Sequence, residues 1–305
     1  MKPLVYIIIL TYNGKENLEY CLPSVMKTDY PNFKIVVIDN ASKDGSSEFV
    51  RKNYPSVKLI RNEKNLYYSG GNNIGINYAI TNEADYIVIL NDDIIVDKRW
   101  LKYAVSVAEK DKRIGFIEFD LMDPVKKGNM TYFENAKKEF KTLKTEPIEY
   151  ITGCSMFVRV ELFNNIGMFD EVFLIYAEET DLVRRAKKAS YKLIKINIPV
   201  FHKGGATMSK MKFKSAYLMM RNLLRLCIKN DSLFGILKMS AFVLNSAVNP
   251  FKKVDEDTMV GRLRPYNPII NLFILTIAVG WNIVFLPQTI FIKYKDLHKI
   301  NKMIK

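Results

Sequence analysis

The chain opens on an apolar run, Leu4–Leu10, that stops at Thr11-Tyr12-Asn13-Gly14, and the same rhythm then recurs. Apolar blocks of strand length alternate with amphipathic stretches of helix length, the pattern of a mostly parallel sheet covered by helices. Lys34–Ile38, Val57–Ile60 and Tyr86–Leu90 read as further buried strands. Leu18, Leu22 and Val25 share one face of a helix over Lys15–Met26. Helices are also expected over Ser46–Asn53, Asn72–Ala79, Trp100–Glu109 and Glu179–Ala189. Ile114–Phe119 and Ile148–Arg159 read as extended, and the polar, lysine-rich stretch from Asp123 to Glu146 as loops with short strands.

After about Lys214 the pattern changes. Ala216–Ile228, Leu233–Val248 and Ile269–Leu286 are long apolar segments without strand alternation, separated by charged loops such as Lys252–Asp257. They predict a helical appendage over residues 215–305, following an α/β domain over residues 1–214. Ile269–Leu286 is eighteen residues long and is interrupted by Asn271, Thr276 and Asn282. A spanning helix needs about 20 predominantly apolar residues, so a span and a helix lying on the membrane both stay open.

Composition narrows the partners. Hydrophobic residues make up 49% of the 305, enough for a sizeable core. Cys21, Cys154 and Cys227 form no CxxC pair, which argues against a disulfide framework or a zinc site and fits a reducing cytoplasm. The N-terminus has no basic leader or small-residue cleavage site and reads as a first core strand, not a signal peptide. Of the +14 formal charge, +11 lies in Ala206–Lys305, where sixteen Lys or Arg face five Asp or Glu. These cations lie among aliphatic helices with no recognisable nucleic-acid module, which turns the reading from nucleic acid to an anionic membrane surface.

The candidate chemistry collects at strand ends. Asp39 closes one apolar run, and Asn91-Asp92-Asp93 follow another. Ligands of open parallel sheets bind beyond the carboxyl ends of the strands. Two acidic ends facing one crevice repel a phosphate unless a divalent cation lies between them. Asn65–Gly75 packs three glycines with Asn72 and Asn73 just before a predicted helix, a backbone that a phosphate can approach. Its spacing is neither a dinucleotide fingerprint nor a Walker A loop. Glu178, Glu179 and Asp181 open an amphipathic helix below aromatics, where a carboxylate gains the basicity to take a proton from an alcohol. His202, one of two histidines, follows the apolar run Ile194–Val200 and precedes Gly204-Gly205, as a further metal ligand would; His298 in the basic tail reads as surface.

In this order, Asp39–Gly45, Gly70–Gly75, Leu90–Asp93, Gly167–Glu171, Glu178–Asp181 and Phe201–Gly205 resemble the family-2 glycosyltransferases, and among them the rhamnosyltransferase-like branch. The resemblance runs from about Pro3 to Ser209 and implies a GT-A fold. By this analogy Thr11, Tyr12 and Asp39 hold the base and ribose of a UDP- or dTDP-sugar, with Asn13, Asn40, Asn72, Asn73, Asn91 and Asp92 completing the nucleotide site. Asn91-Asp92-Asp93 stands in place of the D-x-D motif, with Asp93 and His202 as ligands of Mg²⁺ or Mn²⁺. Glu179 stands where the family usually has an aspartate base, with Glu178 and Asp181 as rivals. The resemblance implies inverting transfer to a glycan or a lipid-linked acceptor, in cell-surface polysaccharide or glycoconjugate synthesis at the inner face of the cell membrane. The Asn91 and Glu179 departures leave a non-catalytic sugar-nucleotide-binding or scaffold protein on the same fold as the alternative.

Overall fold

A computed structural model describes residues 1–122, 142–203, 212–248 and 266–304. The chain divides into two compact units. The first is Met1–Leu174 with Arg185–Gly204, and the second is Ile175–Arg184 with Gly205–Lys305.

The first unit is built on strands β1 (Val5–Thr11), β2 (Phe33–Asp39), β3 (Lys58–Arg61), β4 (Tyr86–Asn91), β5 (Ile94–Val96), β6 (Ile114–Met122), β7 (Thr145–Pro147), β8 (Ser155–Arg159) and β9 (Lys192–His202). They form one sheet in the order β3-β2-β1-β4-β8-β6-β9-β5, with β7 also on β9. Pairing is parallel from β3 through β4 and again between β6 and β9; β8 enters antiparallel to both its neighbours. The connecting helices are α1 (Lys15–Met26), α2 (Ser46–Asn53), α3 (Tyr67–Thr81), α4 (Trp100–Ala108) and α5 (Val160–Ile166). α6 (Glu178–Lys188) starts in the second unit and ends in the first.

Both faces of the first half of the sheet are covered, which is why its strands read as unbroken apolar runs. Val5, Ile7 and Ile9 pack with Leu18, Leu22 and Val25 of α1 on one face. On the other, α3 lies so close that a Cβ on Gly75 would sit 2.5 Å from Ile8 Cγ2, and one on Gly71 2.5 Å from Leu10 Cδ1. The glycine-rich stretch is therefore the first turns of a helix pressed on the sheet. It is not a loop before a helix, because small residues there let helix and sheet approach.

The second unit holds α7 (Lys212–Asn230), α8 (Leu233–Val248), α9 (Pro268–Val284) and α10 (Leu286–Ile304). Its core joins Ala216, Met220 and Leu224 of α7 to Val243 and Ala247 of α8 and Ile274 and Ala278 of α9. The apolar segment read as one helix over Ile269–Leu286 breaks at Phe285, and α9 and α10 meet at 61°. Among the described residues no single helix is long and apolar enough to cross a membrane. Most of the predicted loop between Asp123 and Glu146, and the loops over Lys252–Asp257 and Gly204-Gly205, lie outside the described residues.

Candidate active site

The strand order reverses direction at β1, which has β2 on one side and β4 on the other. Register sets Thr11 beside Asp39 and Leu10 beside Asn91, so the ends of three parallel strands finish level. Such a switch point opens a crevice beyond the strand ends. Thr11 Oγ1 donates to Asp92 Oδ2 at 2.6 Å, and Asn17 Nδ2 of α1 to Asp92 Oδ1 at 3.1 Å. A Cβ on Gly14 would lie 1.9 Å from Asp92 Oδ2, so only glycine leaves that carboxylate its place. Burial is the main cause that lifts Asp92 to a pKa of about 7; the Thr11 bond opposes it and the Asp93 charge adds to it.

Asp93 follows on the turn into β5. Antiparallel pairing of β5 with β9 sets Ile94 opposite His202 and brings Asp93 Oδ1 to 3.2 Å from His202 Nε2. The side chains are 11% and 28% exposed, so the pair is reachable from solvent. Lys203 donates its backbone N–H to Asp93 O at 3.1 Å and its ammonium to Asn17 Oδ1 at 3.4 Å. Burial alone would lower the pKa of His202; contacts with Asp93 and Cys154 outweigh it and raise it to about 10.

Among the described residues no group of three or more His, Cys, Asp and Glu side chains is set to hold a metal ion. The Asp93–His202 pair supplies two donors. Magnesium-like ions commonly take one or two protein ligands and fill the remaining positions with substrate phosphates and water. The residues present fit an ion that arrives with a diphosphate and do not form a free-standing metal site.

The other sequence-derived residues lie at or just past the ends of β1, β2 and β4, or on α3. Asp39 is fully buried; Oδ1 accepts from the Ser42 N–H at 2.8 Å and Oδ2 from the Ser47 hydroxyl. Asn13, at φ 52°, donates its N–H to Ser42 Oγ and accepts from the Lys43 N–H, both at 2.8 Å. Asn40 donates to Tyr67 O at 2.9 Å and accepts from Asn62 Nδ2 at 2.8 Å, tying the end of β2 to the start of α3. Asn91 donates its N–H to Cys154 O at 2.9 Å beside β8, and Tyr12 is 39% exposed just past β1. Asn73 bridges α3 to the Gly167–Glu171 stretch, donating to Phe169 O at 3.0 Å and Glu171 Oε1 at 2.9 Å. Asn72 donates to Tyr68 O at 3.0 Å, while its buried Oδ1 has no hydrogen-bond partner among the described residues.

The three acids of the base question start α6. Leu174, Tyr176 and Ala177 precede them with φ of 66°, 72° and 68°, a left-handed bend that side-chain-bearing residues rarely adopt. α7 holds this bend. Asn222 Nδ2 donates to Ile175 O at 2.8 Å and Tyr176 O at 2.9 Å, and the Tyr176 hydroxyl meets Ser215 Oγ at 2.7 Å. Asp181 accepts from Lys229 Nζ at 2.9 Å and Asn230 Nδ2 at 3.0 Å, so both its oxygens serve the joint with α7. Glu178 is buried, and its Oε2 has no hydrogen-bond partner among the described residues. Burial first, and then the charge of Glu179, push its pKa well above the usual glutamate range. Glu179 is only partly buried; desolvation raises its pKa too, against hydrogen bonds that favour the charged form.

Gly14, Asn17, Cys154, Lys203 and Asn222 were not assigned a role at the site from the sequence. Gly14 and Lys203 sit beside motif residues, and sequence adjacency was the available signal. Asn17 and Asn222 lie inside helices and reach their partners only through the tertiary fold.

A sheet with its acidic residues at a switch point and an antiparallel strand inserted after the nucleotide-binding half defines the GT-A class of transferases. The model for glycosyl transferase family 2 matches residues 6–167, and this chain belongs to that family. It is 28% identical over 193 residues to an uncharacterized glycosyltransferase of Rickettsia typhi, across 59% of this chain and 57% of that one. It is 22% identical over 223 residues to the N-acetylglucosaminyl-diphospho-decaprenol L-rhamnosyltransferase of Mycobacterium tuberculosis, across 63% of this chain and 73% of that one. Among solved structures it is similar to the mannosyltransferase PcManGT of Pyrobaculum calidifontis in complex with GDP-Man and Mn²⁺. That likeness has a TM-score of 0.55 at 16% identity, covering 94% of this chain and 76% of that one, and concerns the fold.

Proposed function

We propose that the chain is an inverting hexosyltransferase that moves a sugar from a UDP- or dTDP-linked donor to a hydroxyl of a glycan or lipid-linked acceptor. The observation that supports this most is the constellation at the ends of β1 and β4: Asp92 tied to Thr11 and Asn17, and Asp93 paired with His202. Membership of a glycosyltransferase family supports the reaction class. The rhamnosyltransferase relative, whose name specifies a diphospho-decaprenol-linked sugar, supports a lipid-linked acceptor.

In this reading Glu179 accepts the proton of the acceptor hydroxyl while its oxygen bonds to the anomeric carbon. The bond from that carbon to the diphosphate breaks on the opposite side, and the nucleoside diphosphate departs with the electron pair. Burial raises the pKa of both Glu178 and Glu179, and Glu179 is the more exposed of the two. Asp93 and His202 would hold Mg²⁺ or Mn²⁺, which when bound would supply positive charge to offset the negative charge developing on the leaving diphosphate. Lys203 adds a cation beside them. The basic, apolar tail supports a position at the inner face of the cell membrane, in polysaccharide or glycoconjugate synthesis.

The test is transfer from a panel of UDP-, dTDP- and GDP-sugars to a short-chain prenyl-diphospho-sugar acceptor, with the product's anomeric configuration read by NMR. An inverted linkage is expected. A retained linkage, or donor binding with no transfer to any acceptor, contradicts the reading; the latter outcome is that of a non-catalytic sugar-nucleotide-binding protein.

A further inference from the structure

On α9 of the second unit two asparagines face inwards and large apolar residues face outwards. On α9 the inward stripe is Asn271, Ile274, Leu275, Ala278 and Asn282. Both asparagines donate there: Asn282 to Arg221 O at 3.0 Å, and Asn271 to Tyr266 O at 2.7 Å. The outward residues include Ile269, 81% exposed, Phe273, and Ile283, 66% exposed. A helix of a water-soluble protein has the opposite arrangement.

Charge is distributed in the same sense along the chain. Pro265–Ile292 contains no charged residue over twenty-eight positions, with Arg262 and Arg264 just before it and Lys293 and Lys295 just after it. α10 grades from apolar to basic along its length. Leu286, Ile290 and Phe291 are exposed near its start; Tyr294 follows; Lys295, His298, Lys299 and Lys302 are exposed towards its end. That order matches a path from hydrocarbon through an aromatic belt to anionic headgroups. The 61° bend falls near the centre of the apolar stretch, at Phe285. α9, at 17 residues, is about 25 Å long, short of the roughly 30 Å hydrocarbon core of a bilayer.

We propose that α9 and α10 form a re-entrant wedge that enters one leaflet of an anionic phospholipid bilayer at Tyr266, turns at Phe285 and leaves on the same side at Tyr294. Cations on both flanks of the charge-free stretch favour that same-side exit, and the bend supplies the turn. The wedge deepens the membrane-surface part of the proposed function and is independent of which residue is the base.

The experiment uses the full chain with vesicles of phosphatidylglycerol and phosphatidylcholine. Single cysteines carrying a nitroxide are placed at Ile269, Phe273, Phe285, Tyr294 and Lys302, and depth is read from collisional relaxation; the native cysteines are all buried. Depth is expected to be greatest at 285 and to fall on both sides, with 269 and 302 both reached by an impermeant thiol reagent added outside. Ile283→Asp, which faces away from the helical core, is expected to weaken vesicle binding at least about tenfold while leaving donor binding unchanged. Labels at 269 and 302 reached from opposite sides, or a bound protein with position 285 in water, overturn the wedge and leave surface binding standing. A chain that ignores anionic vesicles and buries this face in a dimer overturns both.

Discussion

Glu178 and Glu179 are adjacent in sequence yet differ in surroundings: one is enclosed, the other partly open. Burial raises the pKa of both, and in the proposed function the more exposed carboxylate, Glu179, is the one that accepts a proton. Glu179→Gln is expected to keep donor binding and lose on the order of 10²–10⁴ in kcat, the usual size of general-base catalysis. Asp181→Asn is expected to act on stability instead, because its carboxylate faces Lys229 in the interior. Loss of turnover in Asp181→Asn or Glu178→Gln with full turnover in Glu179→Gln would reassign the base. With Glu179 as the proposed base, its raised pKa would set the acid limb of the kcat profile. A base works only when deprotonated, so activity should rise with pH through a value above about 4.3, the ordinary glutamate pKa. A limb at or below that value in a kcat–pH profile contradicts the assignment. At this scale the acids after β4 were legible in the sequence, since strand ends with carboxylates stand out. The occupied oxygens of Asp39 and Asp181 were not, because Ser47 and Lys229 reach them from other elements.

α3 shows how far a pattern carries at the scale of elements. Its glycines and amides were read as a phosphate-approaching loop, and the fold uses them to bring a helix down on β1 and to tie its ends to neighbours. Glycine permits close approach by a ligand or by a helix, and composition does not distinguish the two. Gly75→Ala should force Ile8 aside and cost about 1–3 kcal/mol by denaturant unfolding, the range for overpacking a filled core. An unchanged midpoint would show that α3 can lift without penalty. β5 was missed because three residues, Ile94–Val96, are too few to show alternation; its existence depends on β9. α7 was legible as an apolar helix, but its hold on the Ile175–Ala177 bend was not. Asn222→Ala removes both donors to that bend, a loss of about 1–3 kcal/mol in interaction. It should lower kcat several-fold with little change in the donor KM, in steady-state kinetics at fixed acceptor. A rise in donor KM with kcat preserved would separate α7 from the base.

For the whole molecule, the change of pattern after about Lys214 marked a second kind of architecture, and the structure groups Ile175–Arg184 with those later helices. Sequence order hid this, because the segment sits between two stretches of the first unit and joins α7 only through side chains. The central claim concerns the crevice at the ends of β1 and β4, where Asp93 and His202 offer two ligands to an ion brought with a diphosphate. Isothermal titration of the full chain with UDP-, dTDP- and GDP-sugars, in Mn²⁺ and in EDTA, tests it most directly. The account predicts that at least one donor binds tightly with Mn²⁺, that EDTA weakens this binding, and that Asp93→Ala with Mn²⁺ behaves like the unaltered chain in EDTA. Donor binding of equal strength in Mn²⁺, in EDTA and in Asp93→Ala would contradict it.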